Sequence, residues 1–306
     1  MSHYTINQEA IKQPMLRLLL IGCGNMGKAL LKGWTKHNAT AHHARQQPNI
    51  ICHVVDRHLV FAHESDQLGD ISVYKNHLYH HLEDIPESAY FDLVVLAVKP
   101  QNMAQITSQC ARFVNGKTIF ISIAAGLTLK WLENHLMPSQ KPSDACPIIR
   151  CMPNTPASLS VGMLISCRNR FISEAHIKII NDLFSLNGQH AWLQDETHMD
   201  SITAISGSGP AYLFYFIETL EKAGVALGLD KTLTHKIVMQ TILGATMLAH
   251  QSHDDCTDLR QKVTSRGGTT EAALDVLQNK KAFETLIKKA VFAARDRAQK
   301  LNQSIN

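Results

Sequence analysis

The chain has 306 residues, of which 45% are hydrophobic and 18% charged, and its formal net charge is +4. That length fits two globular domains, and the mild charge with scattered basic residues gives no indication of a nucleic-acid partner or of an anionic membrane surface. No apolar run approaches the ~20 residues of a membrane-spanning helix. The seven cysteines form no CxxC pair, and an odd number without a secretory segment indicates reduced thiols and a cytoplasmic protein.

Strand-like and helix-like stretches alternate over the first two thirds of the chain. The polar residues 1–14 are expected to form a loose tail. Apolar runs predict strands at 15–21, 50–55, 71–73 (weakly), 91–98, 118–123, 147–151, 161–167 and 190–193. Helices are expected at 28–36, 103–113, 129–136 and 173–186. The alternation predicts an α/β domain with a doubly wound, mainly parallel sheet over 15–193.

The pattern changes at about Gln194, after which helical periodicity dominates. Helices are expected at 197–205, 211–227, 231–250, 271–278 and 281–301. Residues 194–306 are therefore predicted to form a separate, all-α domain.

A glycine-rich loop follows the first strand and precedes the first helix. Its sequence, G-C-G-N-M-G, is a full G-x-G-x-x-G motif, in which the glycines permit a tight turn and close approach of a pyrophosphate. In this position the motif predicts a Rossmann-type dinucleotide site. The candidate cofactor-binding residues of the loop are Gly22, Gly24, Asn25, Met26 and Gly27.

The end of the second predicted strand carries Asp56 and Arg57, which favour different cofactors. An acidic residue here suits the ribose hydroxyl of NAD, whereas an arginine suits the 2′-phosphate of NADP. A third possibility is that both side chains simply face solvent. Asn76, beyond the weak third strand, is a further candidate cofactor contact.

Two more candidate segments lie where central strands end, the edge at which open α/β sheets bind ligands. Lys99 could act as a catalytic acid or merely occupy the exit of its strand. A proline-stiffened loop follows the strand at 147–151 and would overhang a nicotinamide ring. The candidate cofactor residues in the two segments are Ala97, Val98, Lys99, Pro100, Pro153 and Asn154.

The segment 259–274 reads L-R-Q-K-V-T-S-R-G-G-T-T-E-A-A-L and leads into a predicted helix. Gly267 and Gly268 leave the backbone open, and Thr269 or Thr270 could cap the helix. Open amides at a helix N-terminus favour a small anion such as a carboxylate. A well-capped surface helix is the alternative interpretation.

Five segments together resemble the pyrroline-5-carboxylate reductases and occur in the same order: 22–27, 97–101, 151–156, 206–212 and 259–274. The resemblance spans roughly residues 15 to 300. It implies an NAD(P)-binding Rossmann domain followed by a helical dimerisation and substrate domain, in a homodimer or higher oligomer. It further implies active sites between one subunit's cofactor domain and its partner's helical domain. The implied reaction is the last step of proline biosynthesis, reduction of 1-pyrroline-5-carboxylate to L-proline by NADPH or NADH, without a metal.

Matched residue by residue, the resemblance implies that the substrate lies against Ser265, Gly268, Thr269 and Thr270. The amides from Gly268 to Thr270 would hold its carboxylate, Ser265 would add a side-chain bond, and the Thr270 hydroxyl would face the ring nitrogen. The chain departs from the family at Arg266, where proline is usual, and at Cys256, where proline is frequent.

Two other functions remain open at this level. A β-hydroxyacid dehydrogenase also joins a Rossmann domain to a helical one, and Lys222 would be its nearest candidate catalytic lysine, although the surrounding sequence does not match. A non-catalytic dinucleotide sensor would keep the glycine-rich loop but would not need the G-G-T-T segment.

Overall fold

The computed structural model describes residues 15–40, 49–58, 77–137 and 145–305. It divides the chain into two compact units. The first contains the described residues up to Gly207 together with those from Ala298 onward, and the second contains Ser208–Arg297. The boundary that the sequence predicts near Gln194 remains a prediction.

The first unit is built on a mostly parallel sheet, as predicted. Its strands lie in the order β3-β2-β1-β4-β5-β6-β7-β8, and every neighbouring pair is parallel except the antiparallel pair β6 and β7. The strand bounds are β1 (Met15–Ile21), β2 (Asn49–Val55), β3 (Leu78–Tyr79), β4 (Leu93–Leu96), β5 (Ile119–Ser122), β6 (Ile148–Met152), β7 (Gly162–Arg168) and β8 (Gly188–Trp192). The weak strand predicted at 71–73 lies outside the described residues.

Helices cover both faces of this sheet. Successive residues of β1 enter different cores, with Leu18 in one cluster and Leu19 in the other, because side chains alternate across a strand. The helical residues Trp34 and Phe184 pack in the first core, and the helical residue Leu132 packs in the second. The helices of the unit are α1 (Asn25–Thr40), α2 (Met103–Cys110), α3 (Leu129–Leu136), α4 (Glu174–Ser185) and α5 (Met199–Ile202).

One predicted helix, at 197–205, is wrong in detail. A 3-10 turn at Glu196–His198 leads into α5, and a π-helical turn follows at Thr203–Gly207. The side chain of Thr203 donates back to the Met199 carbonyl at 2.8 Å, a contact that competes with regular helix geometry.

The second unit is all-α, as predicted. Its helices are α6 (Gly209–Ala226), α7 (Lys231–Gln251), α8 (Cys256–Lys262), α9 (Thr269–Gln278) and α10 (Ala282–Ile305), of which α10 continues into the first unit. The short α8 is absent from the predicted elements, and it begins because the Asp255 side chain accepts from the amides of Thr257 and Asp258. Among the described residues, no helix combines the length and apolar character needed to cross a membrane.

Candidate functional site

The glycine-rich loop has the geometry that its sequence predicts. Gly22 has a φ of +92°, and a Cβ there would lie 2.8 Å from the Ala97 carbonyl oxygen. A Cβ on Gly27 would collide with the Gly22 carbonyl, so both positions require glycine. Beside Gly24, by contrast, no atom lies within 4 Å of where a Cβ would be, and α1 begins at the next residue. This open backbone at a helix N-terminus fits a cofactor's pyrophosphate.

Asp56 lies directly against this loop. One carboxylate oxygen accepts from the Cys23 amide at 2.6 Å, and the other accepts from the His58 amide at 2.8 Å. The side chain of Arg57 is exposed at the same end of β2. The structure therefore gives Asp56 a loop-holding contact that the sequence did not indicate. Asn76 lies outside the described residues.

The end of β4 contributes to the same edge of the sheet. The Ala97 amide donates to the Ile21 carbonyl at 2.8 Å, which places Ala97 and Val98 beside Gly22. Lys99 is exposed, and Pro100 opens a 3-10 turn.

Pro153 and Asn154 follow β6. Pro153 is buried and Asn154 is half-buried. The Asn154 side-chain oxygen accepts from the Met163 amide at 2.8 Å, and its nitrogen donates to Ser206 Oγ at 3.3 Å. The Asn154 side chain is therefore hydrogen-bonded to Met163 and Ser206 within the protein.

The buried cysteines offer no activated thiol. Burial, with Asp56 as a smaller cause, raises the pKa of Cys23 to about 11. Burial raises the pKa of Cys151 to about 12. Both thiols are therefore protonated at neutral pH and unsuited to nucleophilic attack. No group of three or more possible metal ligands occurs in the described part of the chain.

The second unit contains the G-G-T-T segment as a turn followed by a helix. The Gly268 amide donates to the Ser265 carbonyl at 3.0 Å, and Gly267, with a φ of +72°, occupies the third position of this turn. Gly268 is the N-cap of α9, so the prediction that Thr269 or Thr270 caps the helix is wrong; these are its first two residues.

The helix start leaves hydrogen-bond donors open. In the described chain, no protein group accepts from the amides of Thr269 and Thr270. Ser265 and Thr269 are exposed, and Thr270 is half-buried. The arrangement can hold a small anion.

Two residues near these segments are absent from the sequence-based site. The Glu271 carboxylate accepts from the Gly267 amide at 2.6 Å and so braces the turn. Arg150 lies in β6, is 2% exposed, and forms an ion pair with Glu196. A single charged residue within the apolar run I-I-R-C-M was the available signal for Arg150.

Two family models match the chain. Residues 196–301 match the model described as pyrroline-5-carboxylate reductase dimerisation, and residues 17–126 match NADP oxidoreductase, coenzyme F420-dependent. The two matches fall largely on the helical part and on the glycine-rich part of the chain, respectively.

Individual relatives agree with these matches. A pyrroline-5-carboxylate reductase from Haemophilus influenzae is 33% identical over 93% of this chain and 97% of its own length. One from Pseudomonas aeruginosa is 38% identical over 70% of this chain and 76% of its own length. The crystal structure of Plasmodium falciparum pyrroline carboxylate reductase with NADP bound superposes with a TM-score of 0.76 at 28% identity, covering 94% of this chain and 98% of that one.

Proposed function

The chain belongs to the pyrroline-5-carboxylate reductase family, and on that premise we propose that it reduces 1-pyrroline-5-carboxylate to L-proline with NADPH or NADH. The observation that carries this proposal is the 33% identity to a reductase of that name over nearly the full length of both chains. Both segments that the reaction needs are present, the open glycine-rich loop and the open start of α9.

The first unit supplies the cofactor site. The backbone from Gly22 to Gly27, with Asn25 at the start of α1, would hold the pyrophosphate, since Gly24 leaves the space that a diphosphate needs. Ala97 to Pro100 and Pro153 would line the bound cofactor along the edge of the sheet. When bound, a nicotinamide cofactor supplies the hydride.

The second unit supplies the substrate site. The Gly268 amide, predicted to join the carboxylate site, instead donates to the Ser265 carbonyl, so the free amides of Thr269 and Thr270 would hold the substrate carboxylate beside Gly268. Ser265 would add a side-chain bond, and the Thr270 hydroxyl would face the ring nitrogen. A protonated cyclic imine is already electrophilic, so positioning and electrostatics suffice and no covalent nucleophile is required. Glu271 would keep the turn in place by accepting from the Gly267 amide.

For the choice of cofactor, we propose that both NADPH and NADH are used, with a modest preference for NADPH. Arg57 is exposed at the end of β2 and can meet a 2′-phosphate. Asp56 adds a like charge beside that phosphate, yet both of its oxygens already accept from backbone amides. The preference is therefore expected to be smaller than an arginine alone would give.

For assembly and location, we propose a homodimer or higher oligomer in the cytoplasm. Large apolar side chains of α6, α7 and α10 are exposed in the single chain, among them Phe214, Tyr215, Leu243 and Leu286. Helices that expose such surface mark a protein interface. All seven cysteines are free thiols, as expected in a reducing compartment.

NADPH and NADH oxidation by the purified protein, with and without 1-pyrroline-5-carboxylate, tests the function. Turnover should require the substrate, yield proline by mass spectrometry, and survive EDTA. Oxidation of β-hydroxyacids in place of imine reduction would instead support the dehydrogenase alternative. That alternative has little structural support, because Lys222 is exposed and paired with Glu218 of its own helix at 2.5 Å.

A further inference from the structure

Three residues of β6 and of the loop after it contact the same stretch of chain, the connecting segment Glu196–Gly207, which ends where the first unit gives way to the second. Arg150 and Met152 share one face of β6, since alternate residues of a strand lie on the same side. Asn154 lies in the loop that follows, and each of the three contacts the connecting segment.

The strongest of these contacts is an ion pair of Arg150. Its Nη1 lies 2.8 Å from Glu196 Oε1, and its Nη2 lies 3.7 Å from Asp200 Oδ1. The arginine is 2% exposed, and its Nε and Nη2 atoms have no hydrogen-bond partner within the described chain. Because this guanidinium is buried and has few other partners, its charge is compensated by the carboxylates of Glu196 and Asp200. These carboxylates fix the geometry of the cluster Arg150–Glu196–Asp200, which we call the clasp.

Both carboxylates extend the clasp to other elements. Glu196 Oε1 also accepts from the Leu129 amide, the first residue of α3, at 2.9 Å. The two oxygens of Asp200 accept from Asn302 Nδ2, near the end of α10, at 2.9 and 2.8 Å. Arg150 therefore lies at the centre of a polar network that joins β6, α3, α5 and the last turns of α10.

The far end of the connecting segment is held by the same face. Asn154 Nδ2 donates to Ser206 Oγ at 3.3 Å, and the Met152 sulfur lies 3.4 Å from where a Cβ on Gly207 would be. Ser206 and Gly207 both belong to the π-helical turn Thr203–Gly207. Such turns are frequent at functional sites.

We propose that Arg150 is a positioning residue for the reaction, because it anchors the start of the segment through which the chain leaves the first unit. The inference rests on the proposed function. The glycine-rich loop belongs to the first unit and the substrate segment to the second, and hydride transfer needs the reacting atoms about 3–3.5 Å apart. A loosened connection therefore lowers kcat and raises the KM for the imine, while the affinity for NADPH is retained.

The test compares Arg150→Met, which keeps length and removes charge, with Arg150→Lys, which keeps the charge. Arg150→Met should lower kcat by about 10- to 100-fold while the Kd for NADPH stays the same. Arg150→Lys should recover most of the loss, since an ammonium can still pair with one carboxylate. If Arg150→Met folds poorly, Glu196→Gln is the milder variant. It should also lower kcat without changing the Kd for NADPH, but by a smaller factor.

Arg112→Met is the matched control. Arg112 also bonds within the first unit, donating to the carbonyls of Leu82 and Ile85 at 2.5 and 3.3 Å, but it is remote in sequence from the connecting segment. The Arg112→Met variant should have a lower free energy of unfolding than the parent protein, but an unchanged kcat at a temperature where it is folded. An equal fall in kcat for Arg112→Met, an unchanged kcat in folded Arg150→Met, or a parallel loss of NADPH affinity would overturn the proposal.

Amide hydrogen exchange separates this proposal from the proposed function, because it needs no turnover. In Arg150→Met, exchange should accelerate at residues 199–207 and stay unchanged in the glycine-rich loop. If the parent protein does not reduce 1-pyrroline-5-carboxylate, the proposed function fails whatever the exchange shows. If exchange at 199–207 is unchanged, the clasp itself is disproved.

Discussion

The carboxylate of Asp56 accepts a hydrogen bond from the amide of Cys23, 2.6 Å away, and so ties the end of β2 to the glycine-rich loop. Its other oxygen accepts from the His58 amide at 2.8 Å. Asp56 therefore shapes the loop against which a pyrophosphate would lie, and in the proposed cofactor site it would also place a negative charge near the ribose.

Substitution of Asp56 separates these two roles. Asp56→Ala removes the charge and both acceptors, each worth about 1.5–3 kcal/mol as a bond to a charged group, so it should weaken the binding of both cofactors, and of NADH more than of NADPH. Asp56→Asn keeps an acceptor and removes the charge, so it should shift the ratio of the two affinities toward NADPH.

Cofactor titrations by fluorescence measure both effects. Asp92→Asn is the control, because Asp92 likewise accepts from a backbone amide, that of Arg17 at 2.7 Å. An unchanged ratio in Asp56→Asn would show that the Asp56 charge does not act on the 2′-phosphate.

Thr270→Val keeps the shape of the side chain and deletes its hydroxyl. A hydrogen bond to a charged group contributes about 1.5–3 kcal/mol, so kcat/KM for the imine should fall roughly tenfold to a hundredfold or more. NADPH affinity should be unaffected. Thr232→Val, at the same second position of α7, is the control and should behave like the parent protein. A loss of cofactor affinity equal to the loss of kcat/KM would remove Thr270 from the substrate site.

The turn Ser265–Gly268 determines what Arg266 can do. A positive φ at Gly267, the third position, is the type II pattern, in which proline is favoured at the second position. Arg266 occupies that second position, its side chain is exposed, and no described group accepts from its amide. Arg266→Pro should therefore be tolerated and should raise the free energy of unfolding by about 0.4–1 kcal/mol.

Arg266→Ala should leave the KM for the imine nearly unchanged. The KM values of both Arg266 variants, measured at low and high salt, test this expectation. A large, salt-sensitive rise in both variants would make Arg266 a substrate ligand.

Sequence patterns predict the bounds of an element correctly where one local signal dominates. The bounds of β1 and α3 match the prediction, because an apolar run ends at glycine in one case and a capping Thr128 precedes an amphipathic helix in the other. The G-x-G-x-x-G motif likewise predicts its strand–loop–helix setting, since Gly22 and Gly27 are required by contacts inside the loop and with Ala97.

Long-range polar contacts could not be predicted in the same way. Arg150 and Glu196 are 46 positions apart, and no periodicity relates them. The sequence likewise predicts a plain helix over 197–205, where the structure has a π-helical turn at Thr203–Gly207. The role of Glu271 was missed for a smaller reason: its bond to Gly267 reaches back across the N-cap, as in a capping box, but to a residue outside the helix.

The stability of the protein should fall below pH 6.5 partly because of His190. Burial lowers the pKa of His190 from 6.5 to about 4, and its ring nitrogens lie 3.0 Å from Asn181 Oδ1 and from Ser166 Oγ. The unfolded chain binds this proton first, so the contribution is complete above pH 6.5 and is lost as the pH falls toward 4.

In His190→Gln, the free energy of unfolding should fall less steeply as the pH is lowered through that window. The slope should be smaller by at most about 1.4 kcal/mol per pH unit. Urea unfolding at several pH values measures this slope. His198→Gln, at an exposed histidine, is the control and should leave the slope unchanged. A slope in His190→Gln equal to that of the parent protein would show that His190 is not buried in its neutral form.

Reduction of the imine by hydride transfer can be tested by following the transferred atom. The purified protein is incubated with 1-pyrroline-5-carboxylate and NADPH that carries deuterium at both transferable positions of its nicotinamide ring, and the product is examined by mass spectrometry and NMR. We expect L-proline with one deuterium at the former imine carbon. Unlabelled proline, or oxidation of NADPH without any proline, would contradict it.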